Sequence, residues 1–96
     1  MLYCFSQSDY PLSTLENYFS FLFEQDCVVL WQDGVLLALK YPQLFTQVKC
    51  NCYVLEQDIA ARHLQKLIKQ FCPQVQSISM AKFVKLTEQY YPQLAL

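Results

Sequence analysis

One glycine, one histidine and a thin set of charges mark this 96-residue chain. A loop that cradles a phosphate needs glycine at several points where backbone approaches the ligand. The lone Gly34 therefore excludes both a Walker loop and a dinucleotide-binding GxGxxG turn, and disfavours flavin binding. With His63 the single histidine, any histidine-dependent base or metal site would have to run through it. Asp, Glu, Lys and Arg make up 16% of the residues, against about a quarter in an ordinary domain. The 7 basic residues are scattered and the net charge is -1, so no basic stripe follows a phosphate backbone and direct nucleic-acid binding is not expected. The densest apolar run, CVVLWQDGVLLAL, is broken by Gln32 and Asp33, well short of the roughly 20 residues that cross a bilayer. The amino-terminal MLYCFSQSD lacks the basic region and apolar stretch of an export signal. Neither export nor membrane insertion is expected.

In place of charges the chain carries 12 Gln and 7 Tyr, and aromatics reach 16%. Such a surface is cheaper to desolvate, and aromatic residues are enriched where subunits meet, so an oligomer is expected. Five cysteines, an odd number, without export features fit free thiols in a reducing cytoplasm. The length suits one domain spanning residues 1–96.

Residues 2–5 (LYCF), 27–31 (CVVLW), 51–55 (NCYVL) and 75–78 (VQSI) are short apolar runs bounded by polar residues, as buried strands are. Helical periods lie between them. Ser13 with Glu16 has the spacing of a capping box for a helix through about Glu24. Leu15, Phe19 and Leu22 form its apolar stripe; Tyr18 flanks it, and Phe21 and Phe23 fall outside. A short helix is expected after the Asp33-Gly34 turn, ending before Pro42. Asp58 can cap a third helix running to Phe71, and Ser79 a fourth carrying Met80, Phe83, Val84, Thr87 and Tyr91. Strands alternating with helices predict an α/β class: a small three-layer α/β/α domain with a mostly parallel sheet of four to five strands. The apolar tail QLAL is expected to dock on another surface.

No catalytic or metal constellation emerges. The spacing of Cys50, Cys52, His63 and Cys72 lacks the short gap by which paired ligands grip one tetrahedral zinc. Cys50 and Cys52, two apart on a strand, share a face; Cys52 then fills core and Cys50 sits at the strand entrance. Cys4 and Cys27 also fall in strands, where an apolar setting keeps a thiol protonated and inert. Cys72, beside Pro73, is expected to be the least confined. His63 reads as a helix-surface residue, and Glu56 and Asp58 as charges complementing a helix start. No metal or cofactor is expected.

At LWQDGVLLAL (residues 30–39) the chain resembles the DsrH/TusB family. MLYCFSQSDY, YVLEQDIAARHL (53–64) and AKFVKLTEQYYPQLAL (81–96) resemble, in order, the family's first strand and turn, its strand with a D-x-x-A-R segment, and its carboxyl-terminal helix. The resemblance spans the whole chain. It implies a DsrE-like α/β/α fold in a cytoplasmic heterohexamer, two copies each of three related subunits, this one beside TusC- and TusD-like paralogues. Such complexes take persulfide sulfur from a small TusA-like carrier and pass it to a TusE-like carrier, for 2-thiolation of the wobble uridine of tRNA. The resemblance places the sulfur-carrying cysteine on the TusD-like subunit. Where sulfur-oxidising DsrH proteins carry a cysteine near the first helix, this chain has LENYFSF, without a thiol. His63 stands where relatives often have glycine, and a longer third helix is the expected consequence.

The resulting expectation is a non-catalytic subunit of a sulfurtransferase complex, contacting its partners through Tyr18, Phe21, Phe23, Leu94 and Leu96. The alternatives are a subunit whose own Cys72 or Cys50 accepts persulfide sulfur, and a small-molecule-binding α/β module.

Overall fold

The computed structural model describes residues 1–96. Its centre is a five-stranded sheet, parallel throughout, in the order β4-β3-β2-β1-β5. The strands are β1 (Leu2–Phe5), β2 (Cys27–Leu30), β3 (Asn51–Leu55), β4 (Gln76–Ile78) and β5 (Gln93–Ala95). Strands β1 to β3 are buried on both faces, apart from Asn51, which is why they read as continuous apolar runs rather than alternating ones.

Six α-helices connect the strands: α1 (Leu12–Ser20), α2 (Leu37–Lys40), α3 (Gln43–Thr46), α4 (Glu56–Ala61), α5 (Gln65–Phe71) and α6 (Met80–Gln89). A 3-10 turn over Gln32–Leu36 leads into α2. Handedness explains their placement. β1 to β4 are laid side by side in one direction, so right-handed crossovers put α1 to α5 on one face. The return to β5, beyond β1, runs the opposite way, and the same hand puts α6 on the other face. The first face buries Tyr3, Phe5, Val28, Leu30, Cys52 and Val54 under those helices. The second buries Leu2, Cys4, Cys27, Val29, Tyr53 and Leu55 under α6 alone, through Phe83 and Leu86.

Several boundaries depart from expectation. The Ser13–Glu16 capping box does not form: Pro11 is the N-cap, its carbonyl accepting from Thr14 and Leu15 at 3.1 and 3.2 Å, so Ser13 lies inside the helix. Helix α1 ends at Ser20 rather than near Glu24. The expected third helix is two: Asp58 lies within α4 instead of capping it, and His63 takes φ 54, the left-handed region that breaks the helix and favours glycine. The longer helix expected from His63 is therefore not present. Ser79 does cap α6, accepting from the Lys82 N–H at 3.1 Å. The tail docks on its own sheet: β5 pairs with β1, the Leu2 N–H donating to the Pro92 carbonyl and the Leu96 N–H to the Cys4 carbonyl.

Candidate functional site

Two segments that are 20 or more residues apart in sequence meet at the carboxyl ends of β2 and β3. After Leu30 the chain turns sharply, with Gln32 at φ 53, into the 3-10 turn containing Asp33 and Gly34. Arg62, at the end of α4, donates to the Asp33 carboxylate at 2.8 Å and to the Asp58 carbonyl at 3.0 Å. The Asp58 carboxylate accepts from the Gln32 N–H at 2.7 Å, which satisfies the donor exposed by the strained turn. Gly34 is buried against β1: a Cβ there would lie 1.9 Å from the Phe5 carbonyl oxygen. The QDG turn and the D-x-x-A-R segment thus form one latch between neighbouring crossovers. Asp33 is well exposed, so the Arg62 pair adds only about 0.2–1 kcal/mol. The expected result for Arg62→Ala is a fall in Tm of about 5 °C or less, checked by circular dichroism.

The thiols are all free and buried. Cys72, expected to be the least confined, is sealed in the core by the end of α5, at 0% exposure. Burial pushes Cys4 and Cys72 up to about 11 and Cys27 up to about 12. Cys52 is raised too, first because its thiol is hydrogen-bonded to Cys50 and then by burial. The same hydrogen bond lowers Cys50, the residue at the strand entrance. No three His, Cys, Asp or Glu side chains are placed to hold one metal ion.

The raised thiols give a pH dependence of known sign. A thiol whose folded pKa lies above the ordinary 9.0 contributes stability that is complete below pH 9 and lost as pH climbs toward 11 or 12. Cys50 acts in the opposite sense but is one group against several. The Tm in reducing buffer is expected to fall by about 5 °C or more between about pH 8 and pH 10.5, and a Cys27→Val variant to show a flatter profile.

The surface residues named from sequence separate into two sets. Phe21 and Phe23 project beyond α1 at 68% and 63% exposure. The loop carrying them is held by Asp26, whose buried carboxylate accepts from the Phe23 N–H at 2.9 Å and the Met1 amine at 3.0 Å. Phe23 also borders a shallow cleft of about 480 Å³ between the end of α1 and residues 47–49. Tyr18, by contrast, is half-buried against Tyr3 and Phe5, and Leu94 and Leu96 pack onto the first-face core.

The family described as DsrH like protein matches residues 7–93. An uncharacterised protein of Haemophilus influenzae is 55% identical over 96 residues, covering all of both chains. The TusB proteins of Yersinia pestis and Yersinia pseudotuberculosis are 35% identical over 98 residues, covering 99% of each chain. The solution structure of Tm0979 from Thermotoga maritima superposes with a TM-score of 0.64 over 93% of both chains, at 23% identity, a likeness of fold. With the two motif segments joined as one latch and the match running nearly end to end, this chain belongs to the DsrH family, in its TusB-like branch.

Proposed function

We propose that this chain is a non-catalytic, interface-forming subunit of a cytoplasmic sulfur-relay complex that supplies persulfide sulfur for 2-thiolation of the tRNA wobble uridine. The carrying observation is the full-length relationship to TusB proteins in a chain whose five thiols are all buried and none of which lies on α1. The expected assembly is a heterohexamer with the two paralogous TusC- and TusD-like subunits, and TusA- and TusE-like carriers as transient partners. The exposed Phe21 and Phe23 supply an apolar contact for a paralogous subunit. Co-expression with both paralogues from the same genome is expected to yield one complex holding two copies of each chain by native mass spectrometry. Elution of this chain apart from both paralogues in that co-expression would overturn the reading.

A second reading has Cys50 itself accept sulfane sulfur: it stands just before the first residue of β3, and the neighbouring Cys52 thiol lowers it. Cys72, the other thiol to consider, is fully buried and raised by that burial, which favours Cys50 of the two. Incubation with glutathione persulfide followed by peptide mass spectrometry separates the two readings. The structural role predicts no added sulfur on the peptide containing Cys50.

A further inference from the structure

Two of the five thiols are hydrogen-bonded to each other. Cys50 stands in the bend just before β3, between the exposed Lys49 and Asn51, and so lies at the rim of the first-face core with 8% of its surface in solvent. Cys52, two residues on, is fixed in the ladder opposite Val28 of β2. Its thiol reaches back to residue 50, where the carbonyl oxygen lies 3.9 Å away and the Cys50 sulfur also accepts from it. Cys4, Cys27 and Cys72 have no such bond to another thiol, and burial keeps all three protonated at neutral pH.

Residues two apart on a regular strand have Cα atoms about 6.7 Å from each other, at the upper end of what a disulfide spans. Cys50 lies outside the ladder, so it can close the remaining gap while Cys52 stays paired with β2. A ring of three residues removes little entropy from the unfolded chain, so a bond there makes and breaks as a redox couple rather than serving as a staple. We propose that Cys50 and Cys52 form a redox-active dithiol that exchanges with low-molecular-weight disulfides, Cys50 attacking first and Cys52 resolving. The Cys50 thiolate attacks one sulfur of a disulfide such as glutathione disulfide; that S–S bond breaks, a mixed disulfide forms on Cys50, and one glutathione leaves as its thiolate. Cys52 gives its proton to that thiolate and attacks the Cys50 sulfur, and the second glutathione departs. The two thiols of the chain are oxidised to one disulfide, and the external disulfide is reduced to two thiols. The hydrogen bond from Cys52 favours the Cys50 thiolate, the form that attacks. After the first step Cys52 needs only to reach its neighbour, so its burial is no obstacle to closure.

The test treats the reduced, folded full chain with glutathione disulfide, blocks the remaining thiols with iodoacetamide under denaturing conditions, and maps the tryptic peptides by mass spectrometry. Cleavage after Lys49 and Arg62 releases CNCYVLEQDIAAR, which holds Cys50 and Cys52 and no other cysteine. This peptide is expected unalkylated and lighter by two hydrogens, and dithiothreitol is expected to return it to the dithiol, while Cys4, Cys27 and Cys72 are alkylated. Cys52→Ala is expected to stop at one glutathione on Cys50. Cys50→Ala is expected to slow the reaction at pH 8 by roughly tenfold or more, since the thiols left are far less ionised. Alkylation of both cysteines in the parent peptide, glutathione that stays on Cys50 of the parent, or a bond to Cys72 or to another chain would each overturn the proposal. The peptide map of the parent decides the matter even if either variant unfolds. None of these results depends on whether the sulfur-relay complex forms or whether Cys50 accepts sulfane sulfur.

Discussion

Gly34→Ala is expected to cost about 3 kcal/mol or more, lowering the Tm by about 12 °C or more in a domain of this size, or to prevent folding. The reason is local and backbone-bound. The added methyl would stand 1.9 Å from the Phe5 carbonyl oxygen and 2.7 Å from its carbon, with the Ser6 nitrogen at 3.2 Å. Those atoms belong to β1 and its exit, the Phe5 carbonyl being already engaged by the Trp31 N–H at 3.1 Å. No flexible side chain can swing aside, so β1 and β2 would have to separate in the middle of the sheet. Thermal unfolding followed by circular dichroism is the check; a Tm within about 3 °C of the parent would show that the close approach is not obligatory. Because the same turn places Asp33 against Arg62, the variant is also expected to lose the latch between the two crossovers.

Phe21→Ser combined with Phe23→Ser is expected to leave the isolated fold intact and to weaken capture by the paralogous subunits by roughly a hundredfold, the effect of losing aromatic anchors from an interface. Both rings are mostly in water in the isolated chain, so their removal takes little from the core. The Asp26 carboxylate holds the loop by its backbone at Phe23, which the double substitution leaves in place. Biolayer interferometry against the co-purified paralogues measures the loss, and circular dichroism confirms the fold. Unchanged affinity would move the contact to another surface.

Much of the architecture was legible in the residues. The runs LYCF, CVVLW and NCYVL are too short and too uniformly apolar for surface helices, and each holds a strand buried on both faces, apart from Asn51. Ser79 announced α6, because a hydroxyl three residues before a backbone N–H has few other uses at a helix start. Caps elsewhere misled where a stronger constraint acted first. Pro11 set the start of α1 ahead of Ser13, and the Asp58 carboxylate was taken by the Gln32 N–H rather than by a helix end. Local pattern also could not tell that Cys72 would be sealed, since its burial comes from elements tens of residues away along the chain.

The sequence by itself determined the α/β class, the absence of glycine-rich phosphate loops and the family, because strand and helix periods and motif order are written along the chain. Only the tertiary structure decided the rest. Gln93–Ala95 has no strand signature of its own, yet it becomes β5 because the free edge of β1 offers it backbone partners. Asp33 and Arg62 become one latch because parallel strands bring the carboxyl ends of β2 and β3 side by side. Which aromatic residues face water was decided the same way: α1 ends at Ser20, and the loop after it is held by Asp26 rather than by helical hydrogen bonds, leaving Phe21 and Phe23 outside the core.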